Sequence, residues 1–169
     1  MRGAANRLAI YMVHNLIVRY NLAMPSKTSA MLKLDNQLCF ALYSTSLAMT
    51  KVYKPLLDEM GLTYPQYLAM LVLWERDGLT VSEIGERLYL DSGTLTPLLK
   101  RLEACGFLSR LRAADDERRV YITLTTAGRK LKLKANAIPG CILSASECSL
   151  PELTMLTRQV QALRQRLVA

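Results

Sequence analysis

A chain of 169 residues is long enough for one domain with a sizeable core and too short for two independent ones. Its 22 basic and 14 acidic residues leave a net charge of +8, which favours an anionic partner, nucleic acid or a membrane surface, and leaves the fold open. Cys39, Cys105, Cys141 and Cys148 form no C-x-x-C pair and His14 is the only histidine, so a structural zinc site is excluded and no cofactor is expected; the chain is also too long and too cysteine-poor for a disulfide-dense secreted scaffold, which leaves the reducing cytoplasm.

At the start, "LAIYMVHNLIV" at 8–18 is apolar and follows Arg2 and Arg7, the order of a short signal segment. It is too short to span a bilayer, His14 and Asn15 interrupt it, and no small-x-small cleavage site follows. Residues 1–30 are therefore expected to be a dispensable or artefactual extension, with Met24 or Met31 as natural starts and a signal peptide as the alternative, and no membrane is expected as partner.

From Leu34 the helix signals strengthen. Asp35 is placed to cap a helix carrying Leu38, Leu42, Val52 and Leu56 on one broad stripe. "TYPQ" at 63–66 is a capping box, with Pro65 in the first turn of an apolar helix running through Trp74. "TVSE" at 80–83 repeats the device ahead of a short helix with Ile84 and Leu88. After "YLD" another helix places Leu95, Leu98, Leu99 and Leu102 at i, i+3, i+4 and i+7 and stops at Gly106. The period then changes to two: residues 107–112 and 119–124 predict strands joined by "AADDE", with Val120, Ile122 and Leu124 pointing inward. Thr125 caps a basic helix broken by Pro139 and Gly140, and "SLPE" at 149–152 opens a last helix with Leu153, Leu156, Val160, Leu163 and Leu167 at alternating three and four spacing. So regular a seam on a terminal helix asks for a partner helix, against the plainer alternative of packing within the chain.

Two close helices followed by a hairpin have the element order of a winged helix-turn-helix, whose second helix enters the major groove. The leucines fix the buried side of that helix, leaving Ser92, Thr94, Thr96, Pro97, Lys100 and Arg101 for solvent or DNA. The cations can meet phosphate or guanine, while the threonines and Pro97 can touch thymine methyls. Pro97 breaks a local rule by crowding the carbonyl of residue 93, and glycine at 93 eases the crowding. On the hairpin, Arg110, Arg112, Arg118 and Arg119 can reach phosphates or a minor groove. Asp116 can hold Arg118 in a bidentate pair. A solvated tip of mixed charge is the bland reading of the same run.

These residues also resemble a known family. "LTVSEIGERLYLDSGTLTPLLKRLEACGFLSRLRAADDERRVYITLTTAG", 79–128, resembles the winged-helix core of the multiple-antibiotic-resistance regulator (MarR) family, including the wing D-x-R at Asp116 and Arg118. "LKLDNQLCFALYS" together with "LTYPQYLAMLVLWE" is similar to the organic hydroperoxide resistance regulators within it. The resemblance implies a mainly α winged helix-turn-helix fold over 31–169, with a reading head at about 63–125, a wing sheet of two or three strands, and dimerisation helices at about 34–60 and 126–169. It implies a homodimeric repressor on a palindromic operator, induced by an organic hydroperoxide, with Cys39 as the sensing thiol. Tyr43, Tyr53 and Tyr64 would surround that thiol, the latter two supplied by the partner, and Arg118 would enter the minor groove. A second thiol from the C-terminal region of the other subunit would close a disulfide. Cys141 and Cys148 both lie in that region, with Cys148 favoured because it precedes the terminal helix.

An unperturbed thiol near pKa 8.5 is only about 3% thiolate at neutral pH, so a sensor must be activated. Helix-end N–H groups favour a thiolate at Cys39, Asp35 opposes it, and a phenol such as Tyr43 can stabilise it by donating its hydroxyl. Phe40 and Leu42 could accept an organic tail, favouring alkyl or fatty-acid hydroperoxides. From the residues alone, Cys39 reads more readily as a buried inert thiol, and only the resemblance reverses this. Cys105 reads as packing. Three competing functions are a MarR-type repressor released by a small aromatic or phenolic ligand, a thiol peroxidase, and a membrane-surface protein. The basic helix and wing argue against an enzyme.

Overall fold

The computed structural model describes residues 31–112 and 119–168; the expectations for residues 1–30 and for Asp116 and Arg118 lie outside the described residues. The chain divides after Ala48 into two units, Met1–Ala48 and Met49–Ala169. In the first, a 3-10 turn at Leu34–Asn36 leads into helix α1 (Leu38–Asp58), which runs on into the second. Asp35 lies inside that turn and does not cap α1, contrary to expectation. The turn closes its own bonds first, Gln37 N–H donating to Leu34 O at 2.9 Å, so extended Gln37 precedes the helix.

In the second unit follow α2 (Tyr64–Glu75), β1 (Leu79–Thr80), α3 (Val81–Leu88), α4 (Ser92–Ala104), β2 (Leu108–Arg112), β3 (Val120–Leu124), α5 (Thr126–Ala135), α6 (Ile138–Ser146) and α7 (Leu150–Val168). The strands form an antiparallel sheet in the order β1-β3-β2, with Leu79 opposite Ile122 and Leu108 opposite Leu124. This is a winged helix-turn-helix, mainly α; the residue pattern predicts the β2–β3 hairpin, and β1 adds a third strand that the pattern does not reveal. Its core is built from Met70, Leu73, Ile84, Leu95, Leu99, Leu102, Leu108 and Ile122, all fully buried, each worth about 1.5–3 kcal/mol of transfer free energy.

All three capping boxes form. Gln66 Oε1 accepts from Thr63 N–H at 2.8 Å, Glu83 Oε2 from Thr80 N–H at 2.7 Å, and Glu152 Oε2 from Ser149 N–H at 2.7 Å. The bonds from the Thr80 backbone and hydroxyl hold the Glu83 carboxyl below its usual range.

Elsewhere the structure departs from expectation. Pro139 and Gly140 do not simply break the basic helix; they lie in the first turn of α6, where a proline's missing N–H costs no helical bond. Cys105 is exposed at the C-cap of α4 and packs into no core, because Gly106 (φ +75°) reverses the chain there. The tight turn between α3 and α4 uses Tyr89 at φ 57°, where glycine would be usual. Gly85 makes that turn possible, since a Cβ on it would lie 2.8 Å from the Leu90 carbonyl oxygen. Arg164 of α7 stacks over the Tyr89 ring, 4.2 Å from its centroid. Among the described residues, no helix is long and apolar enough to cross a membrane.

Candidate nucleic-acid interface and thiol site

The outer face of α4 begins with its own cap. Asp91 Oδ1 accepts from Thr94 N–H at 2.9 Å and Oδ2 from the Thr94 hydroxyl at 2.9 Å, which lowers the Asp91 carboxyl pKa. Thr94 therefore spends its proton on the cap and offers DNA a methyl and a lone pair. Ser92, Thr94, Pro97, Lys100 and Arg101 are exposed and Thr96 is half-buried, while Leu95, Leu98, Leu99 and Leu102 hold the opposite face in the core. Pro97 sits inside α4 without ending it.

On the hairpin, Arg112 and Arg119 are exposed. Arg119 donates to the Tyr121 hydroxyl and lies 5.3 Å from that ring's centroid, so aromatic contact restrains its guanidinium. Arg110 departs from the expected role. Cross-strand pairing sets it opposite buried Ile122, on the core face, and its guanidinium turns back to Glu103 at 3.7 Å. Its backbone N–H also donates to Glu103 Oε1 at 3.1 Å. That arginine joins β2 to α4 and is not presented to DNA.

Cys39 is the second residue of α1 and is exposed, not the buried thiol that the residues alone suggest. Its position puts it in the first turn of α1, among the open N–H groups of a helix start. Tyr43, one turn further on, is 61% exposed, and Phe40 is half-buried. Cys141 is exposed on α6, whereas Cys148 is half-buried in the turn between α6 and α7. The Cys148 thiol donates to Ser146 O at 3.3 Å.

Tyr53 and Tyr64 come together with ring centroids 4.8 Å apart. Tyr67 packs at 5.9 Å from Tyr53, and Trp74 at 6.2 Å from Tyr67. Sequence reasoning misses Tyr67 and Trp74 as members of this cluster, although both repeat the Tyr64 stripe of α2 at helical spacing. Beside the cluster lies a cavity of about 260 Å³ lined by Thr50, Leu57, Leu62, Tyr64 and Pro65, among others.

Burial, then the neighbouring Tyr64 and Tyr67, push the Tyr53 phenol up to about 12, and burial also raises Tyr64 and Tyr67. All three are O–H donors at neutral pH. The stability linked to Tyr53 is intact below the unfolded phenol value of 10 and is lost as pH rises towards about 12, because the unfolded chain gives up its proton first. The urea midpoint is therefore expected to stay level up to about pH 9 and fall beyond it. Tyr53→Phe should flatten part of that fall, as urea titrations across the range will show.

A helix with an exposed polar and cationic face, backed by a hairpin bearing Arg112 and Arg119, defines a winged-helix DNA-binding regulator. Residues 51–135 match the family model described as transcriptional regulator SarA/Rot. The chain is 55% identical over 136 residues to the organic hydroperoxide resistance transcriptional regulator of Bacillus subtilis (strain 168), covering 80% of this chain and 92% of that protein. Among solved structures it is similar to AbfR overoxidised and bound to DNA (36% identity, 83% of this chain and 98% of that one, TM-score 0.66). It is similar also to reduced AbfR bound to DNA (35%, 82% and 98%, TM-score 0.63) and to disulfide-formed AbfR (35%, 86% and 99%, TM-score 0.60). The chain belongs to the MarR family of winged-helix transcriptional regulators, among the organic hydroperoxide resistance regulators.

Proposed function

We propose that the protein is a homodimeric cytoplasmic repressor that senses organic hydroperoxides through Cys39 and leaves its operator once that residue is disulfide-bonded. The observation that carries this reading is the exposed thiol in the first turn of α1, in a chain closely related to a hydroperoxide resistance regulator. The thiolate attacks a peroxide oxygen: an S–O bond forms, the O–O bond breaks, and the alkoxide leaves as alcohol after taking a proton. A second thiol then attacks the sulfenic sulfur, forming the disulfide and releasing water. Cys148 or Cys141 of the second subunit supplies that thiol. In keeping with the family resemblance, Tyr53 and Tyr64 would serve the partner's sulfur, each as an O–H donor that stabilises the thiolate.

The apolar residues that a dimer would cover are uncovered in the single chain: Leu38 and Leu42 on α1, and Leu156, Val160 and Leu167 on α7. Ser92, Thr94, Thr96, Pro97, Lys100 and Arg101 would read the major groove, and the wing residues Arg112, Arg119 and the Asp116–Arg118 pair would reach the adjacent backbone and minor groove. AbfR is held on DNA when overoxidised as well as when reduced, which supports assigning release here to the disulfide step.

The test uses a duplex selected from a random pool by the reduced wild-type protein. Cumene hydroperoxide is expected to weaken its binding by at least about 100-fold, the scale of losing one of two linked half-sites. Cys39→Ser should remain bound at every dose, and the Cys141→Ser, Cys148→Ser double variant should be oxidised at Cys39 yet be released poorly. Equal release of wild type and Cys39→Ser would refute the assignment.

A further inference from the structure

We infer that Asp77 is a positioning residue for the wing, setting the angle at which the hairpin meets DNA. Strand β1 has only two residues, Leu79 and Thr80, facing Ile122 and Tyr121. Carried on by two residues, that register sets Asp77 opposite Leu124, where the outer edge of β3 has lost its strand partner. The Asp77 carboxylate takes the strand's place: Oδ1 accepts from Leu124 N–H at 2.8 Å and from Gly78 N–H at 2.9 Å. Its other oxygen, Oδ2, accepts from Arg129 Nη1 at 2.6 Å. One side chain thus joins the turn after α2, the base of the wing and the first turns of α5.

Two further bonds fix the same corner. Trp74 Nε1 donates to Gly128 O at 2.9 Å, and Lys132 Nζ donates to Trp74 O at 3.0 Å. The end of α2, the helix that carries Tyr64, Tyr67 and Trp74, is therefore clamped to the start of α5, the helix that directly follows β3. A two-residue strand gives the wing little hold on the head. A charged acceptor bonded to three donors is stronger and more directional than neutral bonds, so the carboxylate sets the hairpin's direction.

This assignment rests on reading the hairpin as the DNA-contacting wing, and the test separates the two. Affinity of full-length reduced protein for the selected duplex is measured by fluorescence anisotropy over a series of salt concentrations. Every phosphate that the protein ceases to neutralise lowers the slope of log K against log salt by about 0.9. A variant that is only partly unfolded binds with fewer active molecules but an unchanged slope.

Asp77→Ala is expected to bind about tenfold more weakly at fixed salt, with the slope lowered by roughly the share of one phosphate. Asp77→Asn keeps an acceptor for Leu124 N–H but loses the ion pair to Arg129, and should fall between wild type and alanine; if it falls as far as alanine, the bond to the β3 edge is not what positions the wing. A wild-type slope and affinity in Asp77→Ala would overturn the inference. Should that variant fail to fold, Arg129→Ala, which removes only the ion pair, is expected to lower affinity with a smaller fall in slope, and a wild-type result there would equally overturn it. Arg119→Ala should lower the slope by itself; if it does not, the wing reading fails, whatever Asp77 does.

Discussion

Gly128→Ala is expected to cost about 4 kcal/mol or more, beyond the range of ordinary single substitutions. Gly128 is buried in the first turn of α5. A Cβ there would lie 1.9 Å from the Phe107 carbonyl oxygen and 2.9 Å from its carbon. Neither side can give way. Phe107 O is held by Thr125 N–H at 3.1 Å, and the Thr125 hydroxyl donates to Gly106 O at 2.7 Å. The helix cannot retreat without breaking the bond from Trp74 Nε1 to Gly128 O. Since domains of this size are stable by only about 5–15 kcal/mol, the urea midpoint should collapse and DNA binding with it. Gly140→Ala supplies the control: a Cβ there meets nothing within 4 Å, and alanine in a helix should be neutral or stabilising by about 0.5–1 kcal/mol. Equal midpoints for the two variants would show that the α5 start is free to move.

The elements that were legible in the chain are those whose cause is local. Three S/T-x-x-E/Q boxes announce helix starts because both partners of each bond lie within four residues. The leucines of α4 reveal its buried face because their spacing is the helix period itself. The features that stayed hidden depend on residues far apart. Asp77 looks like an ordinary turn aspartate until Leu124 and Arg129 are brought beside it, and the constraint on Gly128 comes from Phe107 across a strand. Tyr89 carries no local sign of its left-handed backbone, since glycine or asparagine would be the usual residue there. Arg110 is different: period two counted from Leu108 already puts it on the core face, and only its charge suggested DNA. At the thiol, a helix around Cys39 is legible from the pattern, whereas its exposure is not: the residues alone suggest a buried thiol, and Cys39 is exposed.

The other large effect is expected from α7. Its 19 residues include none that is buried in the single chain, although Leu153, Leu156, Val160, Leu163 and Leu167 recur at coiled-coil spacing. Leu156 is 47% exposed and Val160 46%, and they lie one turn apart on the same face. An apolar stripe this continuous is more stable covered than wet, and a second copy offers the same stripe in return. Leu156→Glu with Val160→Glu sets two carboxylates on that seam in each subunit, four facing one another across a dimer. Sedimentation should then find monomer where wild type is dimer. The reading head, whose core uses no α7 side chain, should keep its urea midpoint at concentrations where wild type is also monomeric. Affinity for a two-half-site duplex should fall by roughly 10²–10⁴, the loss of effective concentration when linked sites come apart, while binding to a single half-site should hardly change. That contrast separates a lost dimer from a damaged head, and a double variant that remained dimeric with full affinity would exclude the α7 seam as the interface.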